Sequence, residues 1–214
     1  LLLKDDKQES GLSQKAATEL IALNVVAILG PMTSSMAMEV VPLSNRSKVL
    51  TMGITVTTNQ LTGKDDYFFR TLSPTLDHAS ETANYLHQHK KTKSVAAVYD
   101  LKNRAYTESW LNDFTTSLGE LGGTITKSIA FSSGNQVKFE EIARDLVEGD
   151  PDTIVLIVNS VDAALLAKQI RALSPNVQLA TSEWAGTERL IELGGRHVER
   201  TVVPQYLDRN SQEP

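Results

Sequence analysis

The sequence predicts an α/β protein of two doubly wound parallel-sheet lobes. Three observations lead there. Short β-rich runs alternate with amphipathic helical stretches along the whole chain. Several of the β runs are almost wholly apolar, as strands covered on both faces must be. A break near Thr71-Leu72-Ser73-Pro74 divides the alternation into an earlier and a later set.

The expected strands are residues 1–4, 25–29, 49–52, 95–99, 124–130, 153–158, 178–181 and 200–203. Val95-Ala96-Ala97-Val98 and Ile154-Val155-Leu156-Ile157-Val158 carry the clearest buried-strand signal. Helices are read from apolar spacing. Leu12, Ala16, Leu20 and Leu23 recur at i, i+4, i+8 and i+11, and Trp110, Phe114, Leu118 and Leu121 repeat that pattern. Phe139, Ile142, Ala143, Leu146 and Val147 form a broad stripe, as do Ala163, Leu166, Ile170 and Leu173. A further helix is expected over residues 77–89. Gly122-Gly123 and Gly149-Asp150-Pro151 are helix stops. Residues 1–73 therefore read as a first lobe and 74–203 as a second, with 204–214 crossing back toward the first. There is no internal repeat and no low-complexity segment.

Composition excludes several classes. The 214 residues carry a net charge of −5 and no basic block, which argues against nucleic acid as a partner. The densest basic run, Lys90-Lys91-Thr92-Lys93, follows a helical stretch, where cations favour the negative end of the helix dipole. The absence of cysteine removes disulfides, thiolate nucleophiles and cysteine-based zinc sites. No apolar run approaches the ~20 residues of a membrane span, and Leu1-Leu2-Leu3 has neither the length nor the flanks of a signal peptide.

Ligands of parallel α/β sheets gather at the carboxyl ends of strands, so the residues after each strand matter most. Gly30-Pro31-Met32-Thr33-Ser34-Ser35 follows the second strand. Its hydroxyls suit helix capping; equally, Ser34 and the free helix N–H groups suit a carboxylate. Next comes the polar loop Gly53-Ile54-Thr55-Val56-Thr57-Thr58-Asn59, read either as a turn or as donors and acceptors for a zwitterion. Tyr106 opens the helix carrying Trp110, as part of the cap or as a wall of a site. Asn159 and Ser160 form a small polar pair before another helix. Glu183 beside Trp184, at a strand end, is the most suggestive pair. Glu183 suits a ligand ammonium with Trp184 packed alongside, or it is a solvated acid beside a buried indole. No nucleophile elbow, phosphate loop or dinucleotide fingerprint occurs, so no catalytic residue, metal site or cofactor is assigned and an enzyme is not expected. His87 and His89 are too close in sequence to share a metal on one helix face.

The ordered set of these motifs resembles the leucine/isoleucine/valine-type family of class I periplasmic amino-acid-binding proteins, which serve ABC transporters. The resemblance runs through Asp5-Asp6, residues 25–35, Thr55-Val56-Thr57, Phe69-Arg70-Thr71, Tyr99-Asp100 with Tyr106, and Ser182-Glu183. It implies two lobes joined by a hinge that close on a small polar ligand, in the periplasm or outside the cell. It also implies roles. Ser34, Thr55 and Thr57 match first-lobe groups that hold the ligand's carboxylate and amino groups. Tyr106 matches an aromatic that closes over the ligand, and Glu183 the acid that pairs with its ammonium. Asn159 or Ser160 stands where branched-chain binders carry an aromatic, and Trp184 is an addition; both are departures from branched-chain specificity. Against the family pattern the chain is truncated at both ends, leaving the first lobe incomplete.

The reading is therefore a receptor for an amino acid or similar ligand. Its small-molecule partner is joined by a membrane transporter, with a homodimer through the first lobe as a further expectation. The alternative is the ligand-sensing domain of a membrane signalling protein. An α/β enzyme would need a nucleophile–base pair or cofactor loop that the sequence does not offer.

Overall fold

The computed structural model describes residues 1–134 and 136–206. The return crossing expected over 204–214 lies outside the described residues from 207 onward. The chain forms two compact units, one of residues 1–77 with 102–109 and one of 78–101 with 110–214.

The first unit holds a three-stranded parallel sheet in the order β1 (Ala27–Leu29), β2 (Leu50–Gly53), β3 (Phe68–Arg70). Helices α1 (Ser10–Ala22) and α2 (Ser34–Ser47) accompany it. Its core is small: Ala37, Val41, Val56, Leu61 and Phe68. The stripe expected on α1 is poorly covered. Leu12, Ala16 and Leu20 are only half-buried and Leu23 is exposed. Gly53 sits where a β-carbon would come within 2.9 Å of the Phe68 ring, so that strand passes too close for any side chain.

The second unit holds a four-stranded parallel sheet in the order β5 (Thr124–Phe131), β4 (Ser94–Asp100), β6 (Thr153–Ile157), β7 (Gln178–Thr181). Every residue of β6 is buried, as the apolar run requires. Helix α3 (Thr75–Lys90) leads into β4, and α4 (Arg104–Glu120) lies between β4 and β5. Trp110, Phe114 and Leu118 of its stripe are fully buried. Helices α5 (Phe139–Val147) and α6 (Ser160–Leu173) pack through Ala143, Leu146, Ala163, Leu166 and Ile170. A short helix α7 (Glu188–Gly194) follows β7.

Two expected strands are not formed. Residues 1–4 form no strand: they line a hollow together with β1, and their backbone joins no ladder. Of residues 200–203, only Val202 bridges to Ala180. Conversely, β3 was not expected as a strand: three residues are too few to show a period.

Candidate functional site

In the first unit the polar loops after β1 and β2 are tied to one another. Ser34 is 1% exposed, and its Oγ accepts from the N–H of Thr57 (3.2 Å) and of Thr58 (3.3 Å). The expected capping role is not what the hydroxyls perform: the N-cap Thr33 makes no side-chain cap bond. Ser35 turns the other way, its Oγ accepting from Ala105 N–H at 3.1 Å. The Thr55 hydroxyl, exposed, donates to the Met32 carbonyl. Thr57 is fully buried; its carbonyl accepts from Thr75 N–H at 2.9 Å. Its hydroxyl is buried with no partner among the described residues. Ser109 braces the loop from below, accepting from Asn59 N–H at 3.2 Å. Tyr106, in the first turn of α4, is 3% exposed.

In the second unit Glu183 follows β7 on a 3₁₀ turn and is 5% exposed. Its Oε2 accepts from the Trp110 indole N–H at 2.9 Å and its Oε1 from the Tyr206 hydroxyl at 3.2 Å. Both donors are neutral, and no cationic side chain pairs with Glu183 among the described residues. Thr181 and Ser182, immediately before it, are fully buried with hydroxyls that find no partner among the described residues. The backbone there is fixed: Thr181 N–H donates to Val202 and Ser182 N–H to Leu156. The solvated-acid reading of Glu183 therefore fails, since the acid is buried while Trp184 is only half-buried.

Asn159 acts as a helix cap. Its Oδ1 accepts from Val161 and Asp162 N–H, each at 3.0 Å, while its Nδ2 donates to Asp162 at 2.8 Å. Asp162 in turn joins Ser133 and Asp100 in one hydrogen-bonded group at the ends of β4 and β5. Ser160 is the first residue of α6 and half-buried. Among the described residues, no group of three or more His, Asp and Glu side chains is placed to hold a metal ion.

Sequence reasoning overlooked Trp110, Tyr206, Thr181 and Ser182. Trp110 was hidden in an apolar stripe, although a buried indole N–H asks for an acceptor and so carried a signal. Tyr206 offered none, because no apolar period or strand end marked its place in the sequence.

Comparison with known proteins places these features in context. No curated protein matches the chain. Among solved structures, a leucine-binding protein from Thermotoga maritima is 25% identical with a TM-score of 0.85, covering 93% of this chain and 56% of its own. A branched-chain amino acid transporter substrate-binding protein from Streptococcus pneumoniae, in complex with isoleucine, is 19% identical with a TM-score of 0.76 (92% and 56% covered). A solute-binding protein of an ABC transporter from Rhodopseudomonas palustris, in complex with 3,4-dihydroxybenzoic acid, is 20% identical with a TM-score of 0.79 (92% and 54% covered). The chain spans about half the length of each. The family model described as periplasmic binding protein matches residues 1–213. The chain belongs to the periplasmic binding protein family.

Proposed function

We propose that this chain is the ligand-binding part of a solute receptor for ABC-transporter uptake and that its ligand is an amino acid. The observation that carries the reading is Glu183: a buried acid whose side-chain partners among the described residues are neutral donors, flanked by the Thr181 and Ser182 hydroxyls, which find no partner among those residues. A buried carboxylate of this kind calls for a cation, and a ligand ammonium supplies one. A benzoate-type ligand, as in the Rhodopseudomonas protein, brings no cation and would place like charge beside Glu183. In the first unit, the unpartnered Thr57 hydroxyl and the Ser34 hydroxyl hydrogen supply donors for a carboxylate. Thr55, whose hydroxyl hydrogen goes to the Met32 carbonyl, offers its oxygen as an acceptor for the ligand ammonium, and Tyr106 adds an aromatic wall. Asn159 and Ser160 stand at the opening of α6 and Trp184 beside Glu183, where they set the shape offered to the ligand's side chain. Membership of the periplasmic binding protein family supports a working place in the periplasm or outside the cell.

The test is a melting-temperature panel of amino acids and hydroxybenzoates. A ligand at ~100 times its Kd adds ~2.7 kcal/mol, roughly 5–10 °C for a protein of this size. Glu183→Gln should weaken the responding amino acid by ~2 kcal/mol or more, since it removes a charge-assisted bond. Response to hydroxybenzoates alone, or equal affinity in the variant by calorimetry, overturns the amino-acid reading.

A further inference from the structure

Far from Glu183 along β7, at the strand's opposite end, a hollow of about 220 Å³ is lined by Lys90, Arg171, Asn176, Val177, Gln178 and Arg200. Three of the six are cations and none is an acid. The Lys90 and Arg171 charges stand in the last turns of α3 and α6, where the helix dipole welcomes them. Arg200 has no such reason to be there. It lies outside any helix, with a left-handed backbone (φ 61°) that a non-glycine residue adopts only when held. Gln178 holds it, donating from Nε2 to the Arg200 carbonyl at 3.0 Å.

Arg171 is anchored too. Its guanidinium donates to the carbonyls of Pro175 (3.2 Å), Val177 (2.5 Å) and Glu199 (3.5 Å). Partial burial, and then the nearness of Arg200, lower its pKa from the usual arginine value. Two guanidinium groups are thus kept together against their own repulsion. Among the described residues, none of the three cations forms an ion pair. Glu81 stands in the adjoining hollow, which shares Lys90 and Arg200, and pairs with neither. The Glu199 side chain does not line the hollow.

We infer that this hollow binds a phosphate-type oxyanion, with Arg200 as the planar fork, Arg171 as a fixed charge held by backbone carbonyls, and Lys90 as a point charge. Guanidinium forks match tetrahedral oxyanions in geometry, and Lys adds charge without fixing direction. The shared chemistry fits both a free phosphate or sulfate ion and the phosphate of a lipid headgroup.

The experiment is an amide chemical-shift titration of the 214-residue chain with inorganic phosphate, at ionic strength held constant with sodium chloride. Saturable shifts at residues 176–178 and 200–201 are expected in the millimolar range or tighter. K90Q/R200Q should weaken the apparent affinity at least tenfold, and K90R should largely keep it. Among the described residues neither Lys90 nor Arg200 makes a side-chain bond, so the double variant should keep the parent spectrum elsewhere. A parallel arm sediments the chain with phosphatidylglycerol vesicles. Binding there that K90Q/R200Q abolishes assigns the phosphate to lipid; saturation by the free ion alone assigns it to solution. The proposal fails if neither probe saturates, or if the double variant binds either as well as the parent.

Discussion

At the scale of single residues, the proposed ligand chemistry rests on Glu183, and its neighbours decide how firmly it is held. Trp110 is fully buried, stacks on Phe114 at 5.2 Å between ring centroids, and donates its indole N–H to Glu183. Tyr206 reaches the other carboxylate oxygen and sets its ring edge-on to His78 at 4.7 Å. Trp110→Phe keeps an aromatic ring but removes the donor, leaving Glu183 one bond short inside the protein. The expected loss is roughly 1–3 kcal/mol of stability, part from the bond and part from the smaller ring. Urea denaturation measures it. A double-mutant cycle with Glu183→Leu, which removes the acceptor, separates the two parts, because the bond contribution couples the two sites and the packing contribution does not. A coupling energy of zero would mean that Trp110 only fills space. Ser34, Thr57 and Glu183 were legible in the sequence because they follow strands. What could not be read was which donors would meet them: Trp110 looked like one more member of an apolar stripe.

At the scale of elements, the strands most visible in the sequence are those buried on both faces. The runs at 95–98 and 154–158 announced β4 and β6, which occupy the two central places of their sheet. The loops between elements were less legible, since their structure rests on single side chains. Asp152 is one such side chain. Its Oδ2 accepts from the N–H groups of Lys93 and Ser94, both at 2.8 Å, and Ser94 Oγ accepts from the Asp152 N–H at 3.0 Å. The start of β4 is thereby stitched to the start of β6. The bonds from the Ser94 and Lys93 backbone hold the Asp152 carboxyl below its ordinary value. A carboxylate depressed on folding stabilises the fold fully above its unfolded pKa, and that contribution is lost as pH falls through the lowered folded value. Asp152→Asn should therefore cost roughly 1 kcal/mol near neutral pH, by weakening two hydrogen bonds at a mostly exposed site. The variant and the parent should converge in acid, below the usual aspartate range. Denaturation midpoints followed from neutral pH downward would show this; a constant gap at every pH would remove the linkage.

At the scale of the whole molecule, the open question is what covers β1. The sequence reading expected a strand at residues 1–4 and a homodimer through the first lobe. The strand does not form. Among the described residues β1 pairs with β2 alone, and residues 1–4 stand off as the far wall of a hollow of about 710 Å³. The rim is apolar and bare: Val26 is 95% exposed, Leu29 68%, Leu3 84%. β1 itself carries no charge, and Lys4 and Asp6 are the charged residues among the lining; an unpaired edge with apolar side chains is a template for another strand. A second copy of the chain brings the same edge, and a two-fold axis lets two identical edges meet antiparallel, each satisfying the other. We predict that the 214-residue chain self-associates through β1. Sedimentation equilibrium should show a concentration-dependent dimer, and hydrogen exchange at the β1 amides should slow as concentration rises. Val26→Lys with Leu29→Lys places charge on the edge and should leave a folded monomer, because like charges would then face each other across the axis. A chain that is monomeric at all concentrations would rule the dimer out, and so would a double-lysine variant that associates as strongly as the parent.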